Sequence, residues 1–161
     1  MAKGPLSLLP EAGIGLLKEV ARHLLRRPVT GIAAAARTED GRWVLIRRGD
    51  TGTWALPGGT LEWGETLQTA LARELLEEAG VESFEIERLV GVFSRPDRDL
   101  RFHAVTVVAL CKVALPSRPP MNSLEIRDVR IFAENELPEP LAMGMSDMLT
   151  AARAGGPPVL E

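Results

Sequence analysis

The chain has 161 residues, enough for one domain around a single core, and its 45% hydrophobic and 25% charged content is that of an ordinary globular protein. Its 19 basic and 22 acidic residues leave a formal net charge of −3, which argues against non-specific binding to nucleic acid or to a membrane surface, since either needs a basic face. A small anionic substrate is still admitted, because a few basic residues in a cleft can hold one.

In chain order, the first segment is apolar but broken by Pro10, Glu11 and two glycines. No signal h-region or membrane span is read there, and a cytoplasmic setting is the expectation. Residues from about Pro10 to Arg27 are predicted as an amphipathic helix with an apolar stripe of Leu16, Leu17, Val20, Ala21, Leu24 and Leu25. Arg22, Arg26 and Arg27 sit near its C-terminal end, where the helix dipole favours positive charge, and Pro28 ends it. Val29–Ala36 and Trp43–Arg48 are predicted strands joined by a turn at Glu39-Asp40-Gly41, a hairpin.

A loop from Gly49 to Gly64 leads into a helix from about Thr66 to Ala79, with Gly80 as its C-cap. Further strands are predicted near Phe84–Phe93, Phe102–Val113 and Val129–Phe132, separated by the charged loop Arg95–Leu100 and the Pro-rich connection Pro116–Asn122. Cys111, the one cysteine, lies in an apolar run and reads as a buried, inert thiol. A last helix covers part of Leu141–Ala154, and the Gly-Gly-Pro-Pro tail after it is expected to fray. Strands mixed with helices in this way indicate an α/β or α+β sandwich with a mixed sheet and an extra N-terminal helix.

The helix from Thr66 carries the chemistry. Glu74, Glu77 and Glu78 stand at i, i+3 and i+4, so three carboxylates share one face within about a turn. Like charges at that spacing destabilise a helix by a few tenths of a kcal/mol per pair, roughly, and a divalent cation would reverse the penalty. Leu71, Ala72, Leu75, Leu76 and Ala79 are expected on the opposite side, against the sheet, while Ala70 would leave room beside the carboxylates. Arg73 stands four residues before Glu77 and would hold it.

From Gly59 to Val81 these residues spell G-x5-E-x7-R-E-U-x-E-E-x-G-U, with U a bulky aliphatic residue, over 23 residues or about a seventh of the chain. The segment resembles the signature of the Nudix hydrolases at every specified position, and the run Trp43–Gly58 before it is similar to the family as well. The resemblance implies a sandwich with a mixed central sheet and the signature as a loop–helix–loop. It implies that Glu74, Glu77, Glu78 and the carbonyl of Gly58 bind Mg²⁺, with Mn²⁺ as a substitute, and that Arg73 and Glu65 orient them. It divides the chain into an N-terminal helical extension at 1–28, a hydrolase domain at 29–155 and a flexible tail at 156–161. It also makes the chain a hydrolase of a diphosphate bond in a nucleoside diphosphate derivative. The base would be Glu74 or a loop glutamate among Glu125, Glu134 and Glu136, with Glu125 favoured because it precedes a late strand.

Other residues bear on the substrate. Arg47 or Arg48 would reach phosphates with a forked pair of donors, and only one of them can face the cleft if the strand alternates. Arg95, Arg98 and Arg101 add positive charge near a loop. Trp54, Trp63, Phe93 and Phe102 are candidates for stacking on a base, although aromatics in such runs more often fill a core. His103 reads as a strand residue with a local hydrogen bond.

Pro96 lies 15 residues past Val81, a place where the ADP-ribose and nucleotide-sugar branch of the family carries a proline. The chain has no tyrosine, unlike the dinucleoside polyphosphate branch. A nucleoside diphosphate sugar or ADP-ribose is therefore the first reading. Alternatives are a (d)NTP pyrophosphohydrolase that clears damaged nucleotides and a non-catalytic nucleotide-binding regulator. The N-terminal helix is a candidate homodimerisation element.

Overall fold

The computed structural model describes residues 27–161 and, before them, residues 13, 15, 16 and 18–21, which are helical. The rest of the helix expected over Pro10–Arg27, Leu17, Leu24 and Leu25 included, lies outside the described residues. Among the described residues eight strands form one sheet: β1 (Val29–Thr38), β2 (Trp43–Arg48), β3 (Trp54–Ala55), β4 (Gly58–Thr60), β5 (Phe84–Phe93), β6 (Ala104–Val113), β7 (Ile126–Phe132) and β8 (Val159–Leu160). Two α-helices pack on it, α1 (Leu67–Ala79) and α2 (Met145–Ala154). No described helix is long and apolar enough to cross a membrane.

β1 is the backbone of the sheet. Ile32 to Ala36 are buried without a break, so this strand is covered on both faces rather than one. Its alanines let neighbouring layers approach closely. β6 runs parallel beside it in continuous register from Val29↔Ala104 to Thr38↔Val113. β4 pairs antiparallel with its first half through Gly31↔Thr60, Ile32↔Gly59 and Ala33↔Gly58. The predicted β1–β2 hairpin is in register at one pair, Arg37↔Trp43, next to the Thr38–Arg42 hydrogen bonds of its turn. Beyond that point β2 leaves β1 and pairs along its whole length with β7, from Trp43↔Phe132 to Arg48↔Ile126. This divergence leaves β1 free to take β4, and so brings the start of the signature segment onto the central strand.

α1 packs against β1, β2, β4 and β7, and α2 mainly against β5, with lighter contacts to β1 and β6. Thr66 caps α1 reciprocally with Thr69: its hydroxyl accepts from the Thr69 amide, and the Thr69 hydroxyl accepts from the Thr66 amide. Gly80 ends the helix in the left-handed region at φ 65°, donating to Leu75 and Leu76 carbonyls. Cys111 is buried in β6, and burial, helped by Glu87, pushes its thiol up to about 12. It has no thiolate character to offer at neutral pH.

The tail does not fray. Val159 and Leu160 form β8, parallel to β5 through Gly91↔Val159 and Val92↔Leu160. Glu161 then accepts from the Ser94 and Arg95 amides at 2.8 and 2.9 Å and from the Arg98 guanidinium, which holds its carboxyl down at about 2. A depressed carboxyl stabilises fully above its ordinary value of 4.5 and loses that contribution as pH falls toward about 2. Hydrogen exchange at the Ser94 and Arg95 amides is therefore expected to accelerate between pH 4.5 and 2 relative to core amides of β1. Equal rates of change in both sets would show that the tail is not pinned by this charge.

Candidate active site

Helical geometry places the glutamates differently from their expected face. The buried positions of α1 are Ala70, Leu71, Glu74, Leu75, Glu78 and Ala79. At 100° per residue these form one stripe, so Glu74 and Glu78 lie within the sheet-facing side rather than opposite it. Ala70 is wholly buried in the core and does not border the carboxylates' cavity, and Ala72 is exposed. Glu77 falls on the flank of the stripe. Its side chain is 44% exposed and does not line the cavity. Among the described residues, no three His, Cys, Asp or Glu side chains come together as a ready-made metal cage.

Two glycines make room for the carboxylates. Gly58 stands at φ 154°, where its α-carbon meets Ile32 and Ala33 so closely that a Cβ would lie 2.3 Å from the Ile32 carbonyl oxygen. Its amide donates to Glu78 Oε2 at 2.8 Å. At Gly59 a Cβ would lie 2.3 Å from Glu74 Oε1, so the carboxylate occupies the space a side chain would take. Gly59→Ala is expected to displace that carboxylate and lower kcat/KM by about 10–100-fold with the far-ultraviolet spectrum unchanged. Wild-type kinetics in this variant would mean that the Glu74 position is not needed.

Arg73 organises the same end. It forms a fork with Glu65, Nε to Oε1 at 2.8 Å and Nη2 to Oε2 at 3.0 Å, and donates from Nη1 to Glu74 Oε1 at 2.8 Å. Its expected partner Glu77 is farther, at 3.6 Å. The fork, with the Glu62 amide, holds Glu65 down at about 2, and Glu65 and Glu74 raise Arg73 in turn. Glu65 is thus the anchor, and Arg73 carries its order to Glu74.

The cavity has a volume of about 230 Å³ and unites residues from seven parts of the chain. Glu74, Glu78 and Glu125 line one part of it. Burial pushes Glu78 up to about 8 against the pull of the Gly58 amide, and Glu74 and Glu125 add to the rise. Burial also raises Glu74, against the pull of Arg73. Desolvated like charges of hard oxygen donors are a setting that a divalent cation relieves. The residues present fit such an ion, which Glu74, Glu78 and the backbone of Gly58 would hold.

Of the candidate bases, Glu74 and Glu125 line the cavity, and Glu125 is the one loop glutamate of the three to do so. It sits just before β7, its carbonyl accepting from the Gly49 amide at 2.6 Å and its carboxylate from Asn122 Nδ2 at 3.3 Å. Glu134 accepts instead from Trp43 Nε1 and pairs with Arg153, and Glu136 is exposed in a short 3₁₀ turn. Strand alternation divides the two arginines of β2. Arg48 lines the cavity, while Arg47 is exposed and donates to the Gly52 carbonyl.

Arg98 and Arg101 line the cavity; Arg95 does not, and pairs on the surface with Asp97, Asp147 and Glu161. Trp54 packs edge-on against Phe132 with Arg130 over its ring, away from the cavity. Phe93 is in the core, Trp63 is fully exposed, and Phe102 is the one of the four aromatics on the cavity wall. His103 is exposed just before β6, 2.7 Å from the Ser94 carbonyl. Asp99 also lines the cavity, and sequence reasoning passed over it because it sits in a loop of alternating charges.

A family model described as NUDIX domain matches residues 26–152. A MutT-like protein of Streptomyces ambofaciens is 44% identical over 81 residues, covering 50% of this chain and 49% of that protein. An ADP-ribose pyrophosphatase of Methanocaldococcus jannaschii is 41% identical over 78 residues, 47% of this chain and 46% of its own. The chain thus spans about half the length of these curated relatives. A solved structure described as a UDP-X diphosphatase superposes with a TM-score of 0.66 at 26% identity, over 89% of this chain and 74% of that one.

Proposed function

The chain belongs to the Nudix family, and from that premise we propose that it hydrolyses the diphosphate of a nucleoside diphosphate sugar or of ADP-ribose to a nucleoside monophosphate and a sugar phosphate. The observation that carries the reading is the cavity itself, where Glu74, Glu78 and Glu125 meet Arg48, Arg98 and Arg101 in one space. Likeness to an ADP-ribose pyrophosphatase and to a UDP-X diphosphatase supports it.

In this reading Glu74, Glu78 and the Gly58 backbone hold Mg²⁺, or Mn²⁺ in its place, with Glu77 in a supporting position on the flank. A bound divalent cation offsets the charge of the diphosphate and lowers the pKa of water. Glu125 accepts a proton from the attacking water while the new P–O bond forms and the bridging P–O bond breaks. Arg73 and Glu65 keep Glu74 oriented.

A substrate panel with Mg²⁺ tests the reading. The highest kcat/KM is expected for UDP-sugars or ADP-ribose, with phosphate-bearing products identified by ³¹P resonance. Oxidised deoxynucleoside triphosphates at the top of the panel would replace the substrate assignment. No turnover on any member, together with tight binding of one, would make the chain a regulator. Self-association through the N-terminal segment belongs to the same reading, supported by Leu16, 67% exposed, and by the exposed Val20. Light scattering of the full chain and of one starting near Pro28 tests it, and two monomers would sink the idea.

A further inference from the structure

We propose that the arginine-lined side of the cavity is a subsite for an uncharged, hydroxyl-bearing group, with Asp99 as its specificity-determining residue. The inference rests on the diphosphatase reading and names the group that lies beyond the diphosphate.

Every guanidinium on this wall already has a carboxylate. Arg48 forks onto Asp50, Nε to Oδ1 at 3.0 Å and Nη2 to Oδ2 at 2.7 Å. Arg101 forks onto Asp99, Nε to Oδ1 at 3.0 Å and Nη2 to Oδ2 at 2.7 Å, and its Nη1 reaches Asp50 at 3.5 Å. Arg98 pairs with Glu161 and Asp147 and donates from Nη1 to the Gly144 carbonyl at 2.6 Å. Arg95 shares Asp147 and Glu161 from the surface, so four cations meet four carboxylates and the wall carries no surplus positive charge. A terminal phosphate, close to doubly negative at neutral pH, would meet Asp99 as well as the arginines.

Asp99 is the carboxylate of this set that lines the cavity, with its side chain only 7% exposed. Arg101 holds it ionised, below the ordinary range for an aspartate. A carboxylate offers about four acceptor positions, and Arg101 fills three of them through its backbone N, Nε and Nη2. One acceptor on Oδ2 is left, on the same wall as Arg48, whose Nη1 makes no hydrogen bond within the described residues. A fixed acceptor and a fixed donor lining one cavity match a hydroxyl, which both donates and accepts. Together they match a hydroxyl-bearing sugar better than they match phosphate, which only accepts.

The frame is built to hold this arrangement. Asp50 ties the turn after β2 to Arg101 in the β5–β6 loop. Glu161 ties the start of that loop to β8 through Ser94 and Arg95. Both ends of the loop that carries Asp99 are thereby fixed.

The test compares the full-length enzyme and its Asp99→Asn variant with Mg²⁺, using UDP-glucose, ADP-ribose and UTP. The wild type is expected to favour the sugar diphosphates. Asp99→Asn is expected to raise their KM with kcat little changed and to lower the KM for UTP, shifting the ratio of kcat/KM values by about tenfold or more toward UTP. A parallel loss on all three substrates would overturn the proposal, because a purely structural aspartate changes no preference. Should the variant melt too low to assay, Asp50→Asn at the exposed end of the same charge chain is expected to shift the ratio in the same direction, and no shift there overturns it. A wild type that prefers UTP would refute the diphosphatase reading instead; the subsite then stands or falls on whether Asp99→Asn still moves the ratio toward UTP.

Discussion

Glu78→Gln is expected to lower kcat/KM by about 10³-fold or more while the protein stays folded. The size follows from charge. Removing one ligand of a catalytic cation forfeits several kcal/mol of transition-state stabilisation, and each factor of ten in rate corresponds to about 1.4 kcal/mol. Glutamine keeps the side chain's length and an acceptor for the Gly58 amide, which now donates to Glu78 Oε2 at 2.8 Å. It removes a buried carboxyl whose ionisation is opposed first by burial and then by Glu74 and Glu125, and which therefore costs stability at neutral pH whether it takes up a proton or stays charged. The variant without added metal is therefore expected to melt at a higher temperature than the wild type, and to gain less from added Mg²⁺. Steady-state kinetics and paired melting curves check both halves. A variant within tenfold of wild-type kcat/KM would remove Glu78 from the machinery.

The second large effect is expected at Arg73. Lysine there keeps the charge but cannot reproduce a planar fork. Glu65 would lose its two-point partner, and Glu74 would lose the 2.8 Å donor that opposes its burial. Arg73→Lys is expected to lower kcat by about 10–100-fold, the range for groups that orient metal ligands, with KM changed far less. A lower melting temperature should accompany it, since the fork joins the loop before α1 to the helix itself. If kcat were kept and KM alone rose, Arg73 would be a substrate contact rather than a positioning residue.

Much of this site was legible in the sequence because its spacing is local. Helix α1 and its stop at Gly80 follow from neighbours within one or two turns. Alternation along β2 correctly required that only one of Arg47 and Arg48 face inward. What failed was the inference that polar residues lie opposite apolar ones. Glu74 and Glu78 are buried in the sheet-facing stripe, and polarity marks a surface only until a function places charge inside. The tail was misread for a different reason: nothing in Val159-Leu160-Glu161 names a partner, and β5 lies more than sixty residues earlier. Asp99 left a trace that went unused. Asp and Arg recur two residues apart at Asp40–Arg42, Arg48–Asp50, Arg95–Asp97, Asp99–Arg101 and Asp128–Arg130, and all five pairs close on themselves, Arg95–Asp97 as a 3.6 Å ion pair and the others through hydrogen bonds. Such doublets point to guanidiniums that are already satisfied, which is information about a wall's net charge.

β8 has one more consequence, which concerns neighbours rather than substrates. In the sheet order it lies outside β5 and forms that end of the ladder. A long strand left open there would present unpaired amides and carbonyls to any second chain with a free edge. Two residues of β8 cap Gly91 and Val92, and Glu161 follows with a charge at the rim. The segment that steadies the loop around Asp99 thus also closes the last part of the β5 edge to pairing with a second chain.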